Sequence, residues 1–216
     1  MTTAADVSVD ARPLHSARPV RVMLWDADGV LQHPRHEWRP RLESWGGPGF
    51  AEALFEAEIP ALRGEEPFRE SLARLLRARP EVTVGVDDLL ELWEQVDLDD
   101  AAVRLVREVA GSGVSCALAT NQQDHRKAFL RRTFGYDEVF ARSFYSCDLG
   151  ARKPEPEYFE RVLASLGVAP EDAGEVGFVD DSLPNVETAL GMGIRAVHHD
   201  PASGVDGLRS VLGWST

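Results

Sequence analysis

Cysteine is scarce: Cys116 and Cys147 are the only two in 216 residues, too few for a disulfide framework. No run approaches the roughly 20 consecutive apolar residues that cross a bilayer, and the first residues lack the apolar centre of a secretory signal. A membrane partner is therefore not expected, and a reducing cytoplasm is the expected compartment. Positive charge is also short. Lysine and arginine number 23 against 36 aspartates and glutamates, a formal net charge of −13, which repels polyanions and argues against a nucleic acid partner. Core material is not lacking: 44% of residues are hydrophobic and 27% charged, the balance of a globular chain. The length, about 1.4 times a roughly 150-residue domain, suits one domain carrying an insertion.

Residues 1–18 mix Thr, Ala, Asp, Ser, Arg and Pro without apolar periodicity and read as a mobile tail. Short apolar runs then recur at 20–25, 114–119, 139–145, 176–179 and 194–198, each the length of a buried strand. Helical spacing separates the later ones, over 101–110, 123–134, 156–166 and 184–190. This alternation predicts an α/β fold, a doubly wound parallel sheet with helices on both faces. In such a sheet the ligand crevice lies at the carboxyl ends of the strands, where Asp26, Asp28, Thr120, Asn121, Asp180 and Asp181 fall. Residues 33–97 break the rhythm. Helix-like patterns at 51–57, 68–78 and 87–96, with no strand between them, predict a small helical insertion. The expected division is a tail over 1–18, a catalytic core over 19–32 and 98–216, and a helical cap over 33–97.

Asp26-Ala27-Asp28-Gly29 ends the first strand. Two close carboxylates repel unless a cation neutralises them or one keeps a proton, states that suit a metal ligand, a nucleophile or a general acid. Thr120-Asn121 closes the second strand with a hydroxyl and an amide at a helix start, a suitable anion cradle. Lys153 precedes Pro154, which disfavours helix at the lysine, and Pro156 opens the next helix. Asp180-Asp181-Ser182 supplies a second acidic pair, which Mg²⁺ would neutralise. Together these residues compose a site for moving a phosphoryl group to a carboxylate nucleophile.

The blocks WDADGVL at 25–31, LATNQ at 118–122, RKPEPEYF at 152–159 and FVDDSLPNVETA at 178–189 resemble the four ordered motifs of the haloacid dehalogenase superfamily. The gap from Asp28 to Thr120 leaves room for that family's helical cap. The resemblance implies that Asp26 is the nucleophile, forming an aspartyl-phosphate, and that Asp28 is the general acid/base. It implies that Thr120 and Lys153, with Asn121 beside them, bind the substrate phosphate. Mg²⁺ would be held by Asp26, the Asp28 backbone carbonyl, Asp181 and waters, with Asp180 binding directly or through water. Asn185 stands where many members have Asp, weakening the expected support for the metal on that side. Dehalogenases of the superfamily lack the second acid, so Asp28 favours a phosphatase acting on a small phosphorylated metabolite, the pattern being nearest to members acting on sugar phosphates. A phosphomutase using the same site and a weakly active regulatory or binding member are the rival expectations.

Four other features carry less chemistry. His33, His36, His198 and His199 do not have zinc-site spacing. Cys116 reads as a core residue, and Cys147 has no local activating partner. Trp38 and Trp45 flank an expected turn. The basic segment 35–41, with Arg35 and Arg39, is either a solvated face or a region that attracts the substrate's remote part.

Overall fold

The computed structural model describes residues 20–214, and the tail expected at 1–18 lies outside the described residues. Five strands form a parallel sheet: β1 (Val22–Trp25), β4 (Ser115–Thr120), β5 (Arg142–Tyr145), β6 (Val176–Asp180) and β7 (Arg195–His198), in the order β5-β4-β1-β6-β7. The register sets Trp25 opposite both Leu118 and Val179. The carboxyl ends of β4, β1 and β6 therefore lie side by side.

Strand alternation divides the core between the two faces of the sheet. Met23, Trp25, Cys116, Leu118 and Val179 pack with the helices Asp100–Gly111 and Gly204–Leu212. Leu24, Ala117, Ala119 and Phe178 pack with Pro156–Leu166 and Leu183–Gly191. Burial on both faces explains the near-continuous apolar strands. Each fully buried Leu or Phe stabilises by about 1.5–3 kcal/mol, which holds the strand ends rigid enough to carry a site.

Between β1 and the helix at 100–111 the chain leaves the sheet and returns through an antiparallel pair, β2 (Gln32–Pro34) and β3 (Val96–Leu98). These short strands were not expected; three residues give too little alternation to register as a pattern. Between them lie α1 (Trp38–Gly46), α2 (Phe50–Leu62), α3 (Phe68–Ala78) and α4 (Val86–Glu94). Leu42, Phe50, Leu54, Phe68, Leu72, Leu89 and Trp93 give this insert its own apolar centre. Trp38 and Trp45 lie within α1 rather than beside a turn, because Pro40 falls in the first helical turn, where a missing N–H costs no helical bond. The run expected as a strand from 139 begins only at Arg142, since Tyr136–Val139 forms a helical turn after the left-handed Gly135. Tyr136 anchors that turn between Phe134 and Phe140.

Candidate active site

Asp26 follows the last residue of β1, and its N–H donates to Val179 O at 3.0 Å. That extension of the ladder sets Asp26 beside the end of β6. The chain then turns tightly, Ala27 O accepting from Leu31 N at 2.8 Å and Gln32 N at 3.0 Å. Gly29 makes the turn possible twice over. Its φ is +75°, and a Cβ there would stand 2.2 Å from Asp181 Oδ2, so only glycine admits both the left-handed backbone and the neighbouring carboxylate.

One oxygen each from Asp26, Asp180 and Asp181 lies within 4.8 Å of the others. Lys153 Nζ stands among them, 2.7 Å from Asp26 Oδ1 and 2.5 Å from Asp180 Oδ2, and also donates to Ala119 O at 2.8 Å. The lysine is 1% exposed and Asp26 6%. Burial, then the Asp180 charge, holds the Asp26 carboxyl well above the usual carboxylate range despite Lys153. Burial, with Asp180 next, pushes Asp181 up to about 6. Burial works against the Lys153 ammonium, but the charges of Asp180 and Asp26 outweigh it and raise its pKa. Three carboxylates face one ammonium here, a surplus of negative charge.

The Asp28 carboxylate does not join this cluster. Arg126 of the helix Asp124–Phe134 grips it with both arms, NH1 to Oδ2 at 2.9 Å and NH2 to Oδ1 at 2.6 Å. Gln122 Nε2 donates to Oδ2 at 2.8 Å and Gln32 Nε2 to Oδ1 at 2.9 Å. Burial alone would raise the Asp28 pKa, yet the Arg126 charge and these hydrogen bonds lower it. The acidic side chains at the ends of the two strands thus divide into a cluster of three and a separately held Asp28, since the fork of Arg126 is the stronger partner for that carboxylate.

Asn121 also departs from expectation. Its Nδ2 donates to Lys153 O and its Oδ1 accepts from Lys153 N, both at 2.8 Å. Its side chain thus pins the lysine's loop rather than facing an anion. Thr120 is buried at the end of β4, where its Oγ1 accepts from Gln122 Nε2 at 3.0 Å. Asn185 does not leave the acidic pair unsupported: its Nδ2 donates to Asp180 Oδ1 at 2.9 Å, alongside Ser182 N at 2.8 Å. With Lys153 on the other oxygen, Asp180 has three of about four acceptor positions filled. It is oriented as much to hold the lysine as to meet a cation.

Sequence reading missed Gln32, Gln122, Arg126 and Glu58. A buried arginine two residues into a helix carries no motif signal. The one available hint was its position just after Thr120-Asn121, at the crevice end of β4. Glu58 of α2 accepts from Trp93 Nε1 at 2.8 Å, and burial pushes it up to about 7 against the opposing charge of Arg126. Arg35 and Arg39 are more than half exposed and pair with Asp97 and Glu52, as a solvated face would. His198 Nε2 donates to Asp181 O at 2.8 Å, and His33 lies 3.7 Å from Asp99. The only group of three or more metal-ligating side chains among the described residues is the acidic one. No helix of the described residues is long and apolar enough to cross a membrane.

The chain is similar in sequence and in fold to several known proteins. A phosphoserine phosphatase from Thermus thermophilus is 29% identical over 160 residues, 74% of this chain and 57% of its own length. A sesquiterpene phosphatase from Aspergillus oryzae is 34% identical over 100 residues, 46% of this chain and 50% of its own. The chain thus spans about half the length of these two curated relatives. A haloacid dehalogenase family enzyme from Bacteroides thetaiotaomicron, solved with magnesium, shares the fold at a TM-score of 0.75 with 19% identity, over 88% of this chain and 98% of that one. The same enzyme has been solved with magnesium and inorganic phosphate. The haloacid dehalogenase-like hydrolase family model matches residues 20–193, most of the chain and all four motif blocks. The chain belongs to the haloacid dehalogenase-like hydrolase family.

Proposed function

We propose that the protein is a Mg²⁺-dependent phosphatase acting on a small phosphorylated metabolite through an aspartyl-phosphate on Asp26. The observation that carries this reading is the buried convergence of Asp26, Asp180 and Asp181 around Lys153. If ionised, three carboxylates and one ammonium leave two negative charges, and the donors are all oxygen, the set that suits a hard divalent cation. Asp26, Asp181 and the Asp28 main-chain carbonyl would hold Mg²⁺, with Asp180 assisting. When bound, the ion supplies charge neutralisation that lets a carboxylate approach a phosphoryl group.

The chain's own residues account for the remaining steps. An Asp26 oxygen attacks phosphorus, the ester P–O bond breaks, and its electron pair stays on the leaving oxygen, which takes a proton from the protonated form of Asp28, a minority state because Arg126 lowers the pKa of that carboxyl. Water then attacks the aspartyl-phosphate and gives a proton to Asp28, and the bond to Asp26 breaks to release phosphate. Thr120 and Lys153 hold the phosphoryl oxygens, while Asn121 fixes the lysine. The insert over 33–97 serves as a cap that limits water. The two phosphatase relatives support the hydrolytic outcome.

Phosphate release from p-nitrophenyl phosphate tests the reading. Mg²⁺ should be required, excess chelator should abolish turnover, and Asp26→Asn should remove it. Full activity in chelator, or substantial activity of the Asp26 variant, overturns the proposal.

A further inference from the structure

Arg126 is a buried cation, 4% exposed, that no motif of the chain accounts for. Its fork holds both oxygens of Asp28, and the insert packs against its guanidinium. Trp38 of α1 packs on the guanidinium, with Cζ 4.8 Å from the ring centroid. Trp38 in turn stacks on Trp93 of α4, with centroids 5.3 Å apart and planes at 9°. Trp93 is tied to Glu58 of α2. A continuous column therefore runs from the insert's apolar centre, through two stacked indoles and one guanidinium, to the Asp28 carboxylate.

Resting on the proposed role of Asp28, we propose that Arg126 is a positioning residue that aims Asp28 at the phosphoryl site, and that the insert, through Trp38, sets how firmly it does so. A bidentate guanidinium–carboxylate pair fixes direction as well as distance. The pair strengthens where water is excluded, because Coulomb attraction grows as the local dielectric falls. With the insert seated, Trp38 shields the guanidinium and Asp28 is held in one orientation. With the insert lifted, water reaches Arg126 and the hold slackens. Proton transfer from the attacking water to Asp28 is thereby tied to the seating of the insert, while attack by Asp26 on an ester whose leaving oxygen needs no proton, a step Arg126 does not touch, is not.

Rapid mixing with p-nitrophenyl phosphate and Mg²⁺ separates the steps. The burst of nitrophenolate reports attack by Asp26, the steady state reports hydrolysis of the aspartyl-phosphate, and mass spectrometry after acid quench reports phosphate on Asp26. Asp28→Asn should keep the burst and slow hydrolysis on the order of a hundredfold. Arg126→Gln should also keep the burst and lower the steady state by about tenfold or more, with phosphate accumulating on Asp26. Trp38→Leu should shift the same step by about threefold. In the Asp28→Asn background either change should add less than about twofold, since both act through Asp28. Arg126→Lys, which keeps the charge but loses the fork, and Trp38→Leu carry the same cycle if Arg126→Gln does not fold.

Burst and steady state falling in equal proportion, or a full further loss in the Asp28→Asn background, overturns the role of Arg126 and leaves the phosphatase reading intact. A folded wild-type protein with neither phosphate release nor phosphoenzyme overturns the phosphatase reading itself. Wild-type hydrolysis by Asp28→Asn removes Asp28 from the reaction and the proposal with it.

Discussion

Gly29→Ala is a perturbation whose effects on site geometry and on stability can be told apart. At φ +75° an alanine pays the left-handed backbone cost of about 1–2 kcal/mol. For a chain of this size that corresponds to a Tm lower by about 2–8 °C. The new methyl would also stand 2.2 Å from Asp181 Oδ2, where ordinary contact begins at 3.4 Å, so the carboxylate must retreat by about 1.2 Å. Metal–ligand distances tolerate about ±0.2 Å, and a misplacement of about 1 Å costs on the order of a hundredfold in rate. Gly47 supplies the control, with φ +76° and nothing within 4 Å of an added Cβ. Gly47→Ala should lower the Tm through backbone strain with turnover unchanged, whereas Gly29→Ala should lose about two orders of magnitude in kcat/KM and require more Mg²⁺. Calorimetry and a Mg²⁺ titration of phosphate release give both readouts. A Gly29 variant with the kcat/KM and Mg²⁺ requirement of Gly47→Ala would refute the close-approach argument.

Lys153→Met removes the one ammonium between Asp26 and Asp180 and should cost about 3–5 kcal/mol along with all turnover, because two buried carboxylates lose their partner; an unchanged Tm would contradict this. Asn121→Ala breaks two 2.8 Å bonds that hold the Lys153 main chain and should lower stability by about 1–3 kcal/mol and raise KM, which denaturant titration and steady-state kinetics measure. Asp181, raised from 3.8 to about 6, contributes stability that is fully present below the lower value and lost as pH rises through the higher. Metal-free protein should therefore lose stability from about pH 4 to 6, and the Mg²⁺-induced rise in Tm should be larger near pH 8 than near pH 5. Equal metal-induced shifts at the two pH values would count against the acidic cluster as the binding site.

The sequence by itself determined the parallel α/β sheet, since strands buried on both faces leave short apolar runs and each acidic or hydroxyl residue marks where a run ends. It also located Asp26, Asp28, Thr120, Asn121, Asp180 and Asp181 at one end of that sheet, because chain order and strand polarity put every such turn on the same side. Partnership was decided only by the tertiary structure. Asp26 and Asp28 are two residues apart, yet the tight turn at Ala27 and Gly29 sends one carboxylate to Lys153 and the other to Arg126, 98 positions away. Asn121 looked like an anion ligand until the loop carrying Lys153 folded against it, and Asn185 looked like a gap until it met Asp180. The pair β2 and β3 and the stack of Trp38 on Trp93 were equally invisible, for they join residues about 55 to 66 positions apart. A local pattern reports which face a side chain occupies; long-range packing chooses which charge or ring it meets there, and this site's electrostatics depend on that choice.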